Sequence, residues 1–126
     1  MNIILKHGLP FIKIELVQGN KNKLLSNVLV DTGSASTLIS ADTALDLGLG
    51  PSPEDKIYTI RGVGGTEFVY EKKLDKINLN EITLSEFSVQ IGAIDYGFDI
   101  DGILGMDFLI QGKVVIDTYN LYISNS

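Results

Sequence analysis

The sequence predicts a mostly β fold with one or two short helices, and three observations lead to this prediction. Residues 11–16 alternate between apolar and polar side chains, which is typical of a strand with one buried face. Turn-forming Gly, Pro, Asn and Asp recur between short apolar runs along the chain. Gly64 and Gly65 separate two β-prone runs, a pattern that indicates a β-hairpin. The length of 126 residues favours a single domain over residues 1–126.

The elements before the double glycine follow from local signals. Residues 24–30 form an apolar run that returns after a Gly-Asn turn, and residues 37–39 form a shorter one. Residues 42–47 fit about two turns of helix, because Ser40 is a suitable N-cap and Gly48 a suitable C-terminal stop.

The second half of the chain repeats the same pattern of short strands. Residues 56–63 and 66–70 flank the double glycine, and an acidic loop over residues 95–101 precedes a short helix at residues 106–110. Further strands are predicted at residues 72–79, 82–91, 114–116 and 121–123.

Composition excludes several classes of function. The formal net charge is −6, so the chain has no electrostatic basis for binding nucleic acid or an anionic membrane surface. Cysteine is absent, which excludes thiol chemistry and agrees with a cytoplasmic location. Residues 1–7 do not resemble a signal peptide, and no run approaches the ~18 apolar residues of a membrane span. His7 is the only histidine, so neither a Ser-His pair nor a histidine-based metal site can form.

Asp31 is the residue on which a chemical function is predicted. Two apolar residues end a strand directly before it, so its carboxylate is presented where that strand ends. Gly33 allows the backbone to turn sharply and leaves amide N–H groups facing the carboxylate. Thr32 and Ser34 have hydroxyls that can hold the loop or bond an Asp31 oxygen. The pattern is typical of a carboxylate held rigidly in one orientation.

One carboxylate is not enough to hydrolyse a peptide bond with an activated water. The water needs a base and the carbonyl needs an acid, and two close carboxylates sharing one proton supply both. The sequence contains one Asp-Thr-Gly, so the second carboxylate must come from elsewhere. A two-fold homodimer provides it by placing Asp31 against its own copy.

Three motifs resemble the retropepsin type of aspartic protease, the single-domain homodimeric relatives of pepsin. Residues 31–34, Asp-Thr-Gly-Ser, resemble the catalytic loop, and residues 60–66 resemble the glycine-rich tip of the flap. Residues 103–109, Ile-Leu-Gly-Met-Asp-Phe-Leu, resemble the stretch that braces this loop. That string is especially similar to retropepsin-like hydrolases of the non-retroviral, bacterial type. The resemblance covers residues 10–124.

The resemblance implies a closed, β-barrel-like retropepsin fold and an endopeptidase acting on a peptide or protein substrate. It makes Asp31 the catalytic acid and base, supported by Thr32, Gly33 and Ser34, with no metal or other cofactor. It also implies roles in the flap and substrate binding for Arg61, Gly62, Val63, Gly64 and Gly65, and a bracing role for Ile103, Leu104 and Gly105.

Each of these motifs also has a plainer interpretation. The Asp-Thr-Gly run can be an ordinary turn with an Asx-type hydrogen bond, and the flap glycines can form a simple hairpin. Arg61, the only arginine, is more simply interpreted as a solvated side chain than as a catalytic one. For function, the alternative is a non-catalytic dimeric module that binds peptides or serves in assembly.

Other polar residues carry weaker expectations. Asp107 can pair with a cation or cap the short helix, and capping is favoured. The acidic loop with Asp95, Asp99 and Asp101 does not have the spacing of an EF-hand and is interpreted as solvated. In retropepsins the chain ends interleave in the dimer interface, whereas this chain has polar residues near both ends. The geometry of that part of the interface is therefore left open.

Overall fold

The computed structural model describes residues 1–62, 65–94 and 97–126. These residues form, in chain order, strands β1 Ile4–Lys6, β2 Leu9–Gln18, β3 Lys21–Val30 and β4 Leu38–Ser40, helix α1 Ala41–Asp46, strands β5 Ile57–Gly62, β6 Gly65–Leu79, β7 Ile82–Gly92 and β8 Gly102–Leu104, helix α2 Met106–Gln111, and strands β9 Val114–Asp117 and β10 Tyr122–Asn125.

Most of the strands belong to one sheet that closes on itself. Its order is β1-β2-β3-β8-β4-β7-β6-β5, and an additional pairing joins β2 to β6. This pairing completes a ring through β2, β3, β8, β4, β7 and β6, so those strands have no free edge. The prediction of a mostly β, closed, barrel-like fold with short helices is confirmed.

Helix α1 shows how local signals set the limits of an element. The Ser40 Oγ accepts a hydrogen bond from the Thr43 N–H at 3.3 Å, which satisfies one of the free donors of the first turn. Gly48 follows the helix with a φ of +74°, a conformation that costs glycine little. The predicted cap and stop are therefore confirmed.

Two strands differ from the prediction. β6 runs unbroken for 15 residues, whereas separate strands were predicted at residues 66–70 and 72–79. Glu71 lies opposite Gln90 of β7, so pairing with that strand keeps the backbone extended across the predicted boundary. β1 was not predicted, because its three residues are too short for a periodic pattern, and its pairing with β2 fixes it.

Two apolar clusters form the core. The larger one draws on β2, β3, β6, β7 and β8 and includes the fully buried side chains of Leu16, Ile77 and Leu104. Burial of one such side chain stabilises the fold by about 1.5–3 kcal/mol. The smaller one, called the second cluster below, consists of Phe11, Leu29, Leu38, Val69, Ile100 and Ile103.

The two ends of the chain meet in a separate small sheet. β9 and β10 pair as the predicted final hairpin, in antiparallel orientation. The Ile123 N–H donates to the Met1 carbonyl at 2.8 Å, and the Ile3 N–H donates to the Leu121 carbonyl at 2.8 Å. The N-terminal segment therefore pairs with β10 of the same chain.

Neither helix has the dimensions of a membrane span. α1 and α2 contain six residues each, whereas a span needs about 20 apolar residues. Within residues 1–62, 65–94 and 97–126, no helix is long and apolar enough to cross a bilayer.

Candidate active site

Asp31 directly follows β3 and continues the pairing of that strand with β8. The two strands are parallel, with Val30 opposite Leu104, and the Asp31 N–H donates to the Leu104 carbonyl at 3.0 Å. Because β8 lies between β3 and β4 in the sheet, the loop from β3 to β4 crosses the end of β8. The backbone of Asp31 is thereby fixed where two buried strands end.

The Asp31 carboxylate is partly exposed and is oriented by the loop that follows it. The Gly33 N–H donates to Asp31 Oδ1 at 2.9 Å, and the Ser34 N–H donates to the Asp31 carbonyl at 3.1 Å. A Cβ atom at Gly33 would lie 3.2 Å from Oδ1, so a side chain there would press on the carboxylate. Glycine thus permits both the turn and the close approach of its N–H.

The two hydroxyl residues of this loop lie in different surroundings. The Ser34 Oγ donates to the Ser36 carbonyl at 2.7 Å, so of its two possible roles this hydroxyl holds the loop. Thr32 is exposed and lines a cleft together with apolar residues of α2 and β9. One hydroxyl therefore stabilises the loop internally, while the other faces outward.

The predicted bracing residues lie directly behind the loop. Ile103 and Leu104 are buried. A Cβ atom at Gly105 would lie 2.4 Å from the Ser36 carbonyl oxygen and 2.9 Å from that of Ser34. Real Cβ atoms do not approach oxygen this closely, so the loop fits only against glycine. The structure thus brings these three residues against the loop that contains Asp31.

Thr37 and Asp107 form an unpredicted connection between this loop and α2. The Asp107 carboxylate accepts hydrogen bonds from the Thr37 N–H at 3.1 Å and from the Thr37 hydroxyl at 2.7 Å. Thr37 is fully buried, and its Oγ1 also accepts the Gly105 N–H at 3.1 Å. The two residues are 70 positions apart, and no local pattern in the sequence indicates that they meet.

Helix capping, the role favoured for Asp107, is confirmed only in part, because Asp107 satisfies a first-turn N–H but does not occupy the N-cap position. The N-cap position of α2 is Gly105, which makes no side-chain cap hydrogen bond. Asp107 lies within the first turn, where its carboxylate also accepts the Phe108 N–H at 2.7 Å. A carboxylate is favoured there by the helix dipole, but its main partner is Thr37, at the end of the loop that contains Asp31.

The predicted flap corresponds to the hairpin in which β5 pairs along its full length with residues 65–70 of β6. Arg61 and Gly62 end β5, and Gly65 begins β6. Val63 and Gly64 lie outside the described residues. The assignment of these five residues to substrate binding stays a prediction.

The root of this hairpin is joined to the strands around Asp31. Val69 of β6 is buried in the second cluster together with Leu29 of β3 and Ile103 of β8. Val30 and Leu104, the next residues along, belong to the larger cluster. Because successive side chains of a strand point to opposite faces, Asp31 follows Leu29 on the side of the second cluster. Strand alternation therefore puts the Asp31 side chain on the face of the sheet that carries the second cluster.

The acidic loop is held by hydrogen bonds to β3. The Asp101 carboxylate accepts the Asn27 N–H at 3.1 Å, and Asp99 is exposed. Asp95 lies outside the described residues. In the part of the chain that the structure describes, no group of three or more His, Asp or Glu side chains is arranged to hold a metal ion.

An ion pair ties the loop before β5 to β6. Lys72 Nζ lies 2.8 Å from Asp55 Oδ1, and the Asp55 side chain also accepts the Ser52 N–H at 2.7 Å. The hydrogen bond from Lys72 is the main reason that the pKa of Asp55 lies below its usual range. The outer base of the hairpin is therefore fixed by a charge-assisted contact.

Comparison with known families gives one match. Residues 17–108 match the family model described as aspartyl protease. The matched region includes the loop with Asp31, the β5–β6 hairpin and the brace at residues 103–105. No curated protein gave a significant match.

Proposed function

We propose that this chain, which belongs to the aspartyl protease family, is an aspartic endopeptidase that acts as a symmetric homodimer. Membership of the family supports protease function in general, and the pairing of two Asp31 carboxylates is the specific proposal. The observation that carries it is the partly exposed Asp31 carboxylate, oriented by the Gly33 N–H at 2.9 Å. Gly33, Ser34 and the brace behind them hold this one carboxylate, and a second copy supplies the other.

In the proposed reaction, a water molecule lies between the two Asp31 carboxyl groups, which share one proton. The ionised carboxylate accepts a proton from the water, whose oxygen adds to the peptide carbonyl carbon. The protonated carboxyl group donates its proton to the carbonyl oxygen. The tetrahedral intermediate then collapses and the C–N bond breaks: one carboxyl group gives its proton to the leaving amine nitrogen, and a hydroxyl of the intermediate returns its proton to the other carboxylate. One water is consumed, and the steps need no covalent intermediate and no cofactor.

The proposed substrate is an extended peptide lying between the barrel and the hairpin of β5 and β6. Tyr58 lies opposite the buried Val69 in this hairpin, so Tyr58 and Ile60 share the face turned toward the second cluster. Both are partly exposed, at 40% and 36%. As exposed apolar residues of the hairpin, they favour apolar side chains in the bound peptide.

Three further assignments belong to the same proposal. Residues 1–126 form one domain, and the flap residues named above close over the peptide. Thr32, exposed beside Asp31, contacts the second copy near the two-fold axis. The chain acts in the cytoplasm, a location compatible with a sequence without cysteine.

Peptide cleavage by the Asp31→Asn variant tests the catalytic role. Cleavage of a mixed peptide library and binding of acetyl-pepstatin are measured across about pH 3 to 7, a window wide enough for a carboxylate pair. We expect Asp31→Asn to lower kcat/KM by about 1,000-fold or more, since both carboxylates are replaced. The matched control is Asp42→Asn, a substitution of the same chemistry at an exposed position of α1, and it should keep wild-type activity. Equal cleavage by wild type and Asp31→Asn would refute the proposal.

The alternative is a dimeric module that binds peptides or serves in assembly without cleaving them. The hydrogen bond from the Gly33 N–H to Asp31 Oδ1 is of the Asx type and serves either function, whereas membership of the aspartyl protease family favours catalysis. Under the alternative, wild type would bind extended peptides but leave them intact, and Asp31→Asn would bind them equally well. Mass spectrometry of the peptides after incubation distinguishes the two functions.

A further inference from the structure

The small sheet at the chain ends leaves one of its edges open. Within the described residues, β10 is paired on both sides, with β9 and with the N-terminal segment, whereas β9 pairs only with β10. The outer strand of this sheet thus comes from the same chain. In the interleaved arrangement implied by the retropepsin resemblance, the ends of two chains would be exchanged instead.

The open edge of β9 presents unpaired backbone groups at two positions. The Ser126 N–H donates to the Lys113 carbonyl, so in the strand that follows it is Val115 and Asp117 that direct their backbone groups toward β10. Val114 and Ile116 therefore direct their N–H and C=O groups away from β10. Backbone groups of this kind form a ready template for another strand.

This edge lies beside the catalytic loop and is apolar. A cleft of about 470 Å³ is lined by Thr32, by residues of α2 and by β9. Val115 is 45% exposed and Ile110 is 66% exposed, although both are apolar. An apolar open edge next to Thr32 is where a second copy must approach if it is to bring its own Asp31 to the site.

We infer that two copies of the chain associate by antiparallel pairing of their β9 strands, with the chain ends remaining paired within each copy. The inference rests on the proposed function, because the active site is incomplete without the second copy. The two-fold axis passes beside Val115, so Val114 of one copy lies opposite Ile116 of the other. This is the symmetric register that uses both open positions of each strand.

The charges of Asp117, the last residue of β9, and of Lys113, the residue before its start, agree with this register. Val115 is its centre, so Lys113 of each copy, which directly precedes β9 and has a φ of +52°, comes near Asp117 of the other. Opposite charges directly across a strand pair are favourable, whereas like charges are not. The Asp117 carboxylate is held at the β9–β10 turn by the Asn120 N–H at 2.9 Å, which keeps its position defined.

The Ile116→Pro variant tests the pairing by sedimentation equilibrium. Proline removes an N–H that makes no hydrogen bond within the chain, so it should spare the β9–β10 pairing but block the second copy. Two hydrogen bonds are lost in the symmetric pair, and we expect a dimer dissociation constant about 100-fold higher. The matched control, Ile116→Ala, loses side-chain packing but keeps the N–H, and should change the constant much less. Equal dissociation constants for the two variants would overturn the inference.

A charge exchange tests the register independently. Lys113→Glu and Asp117→Lys should each weaken the dimer, by roughly fivefold to tenfold, and the double variant should regain most of the loss relative to Asp117→Lys. Additive losses would overturn the register.

The outcomes also separate this inference from the proposed function. A cleaving, dimeric Ile116→Pro protein refutes the interface but leaves the protease. A dimer that depends on Ile116 but never cleaves peptides refutes the protease but leaves the interface.

Discussion

Replacement of Asp107 by asparagine should destabilise the fold and disorder the loop that contains Asp31. The Asp107 carboxylate accepts three hydrogen bonds, from the Thr37 N–H, the Thr37 hydroxyl and the Phe108 N–H. Asparagine has one oxygen, so in either orientation its NH₂ group faces a donor. Leaving the N–H of the fully buried Thr37 unpaired costs about 1–3 kcal/mol, and the remaining bonds lose their charge assistance. We expect a total loss of about 3 kcal/mol.

Urea unfolding at one fixed protein concentration measures this loss, because association of copies adds to apparent stability. A shift of the catalytic loop by a fraction of an ångström should also lower kcat/KM by about 10–100-fold at a temperature where the variant stays folded. Thr37→Val removes the hydroxyl partner. In a double-mutant cycle, the loss of stability in the double variant should be smaller than the sum of the losses in Thr37→Val and Asp107→Asn. A stability within about 0.5 kcal/mol of wild type, with fully additive effects, would refute the role given to this pair.

Two other substitutions test the supports around Asp31. Gly105→Ala should destabilise the fold by about 3 kcal/mol and abolish cleavage, since its Cβ would lie 2.4 Å from the Ser36 oxygen. Gly50→Ala, whose Cβ meets Leu45 at an ordinary 3.4 Å, is the control in the same urea assay and should be neutral. Asp55→Asn should lose stability at neutral pH. Because the folded-state pKa of Asp55 is lowered, this deficit should persist above about pH 4 and vanish as pH falls further, whereas a pH-independent deficit would contradict the assignment.

The sequence allowed prediction of those features that depend on neighbouring residues. The Ser40 cap of α1 involves Thr43, three residues away, and the Gly33 N–H reaches a carboxylate two residues away. Such contacts form within one turn of chain, so composition and spacing suffice to indicate them. For the same reason, the loop with Asp31 could be located before its surroundings were known.

Contacts between distant parts of the chain were not predictable in this way. The placement of β8 between β3 and β4, and the pairing of Thr37 with Asp107 across 70 residues, are set by the closure of the barrel. Asp107 alone has the features of a helix-capping residue, because the sequence does not show which loop lies in front of α2. The prediction of the length of β6 was wrong for a related reason, since pairing with the partner strand β7 determines where β6 is extended.

The pairing of the chain ends changes what association of two copies has to achieve. In an interleaved dimer, the terminal strands gain their partners only when a second copy binds, so folding and association are coupled. Here Met1, Ile3 and Ile123 already form their backbone hydrogen bonds within one chain, and the barrel is closed by β2 and β6. A second copy therefore adds little to the barrel itself. In the proposed dimer it would add an edge partner for β9 and a second carboxylate for Asp31, so association would control activity more than it controls folding.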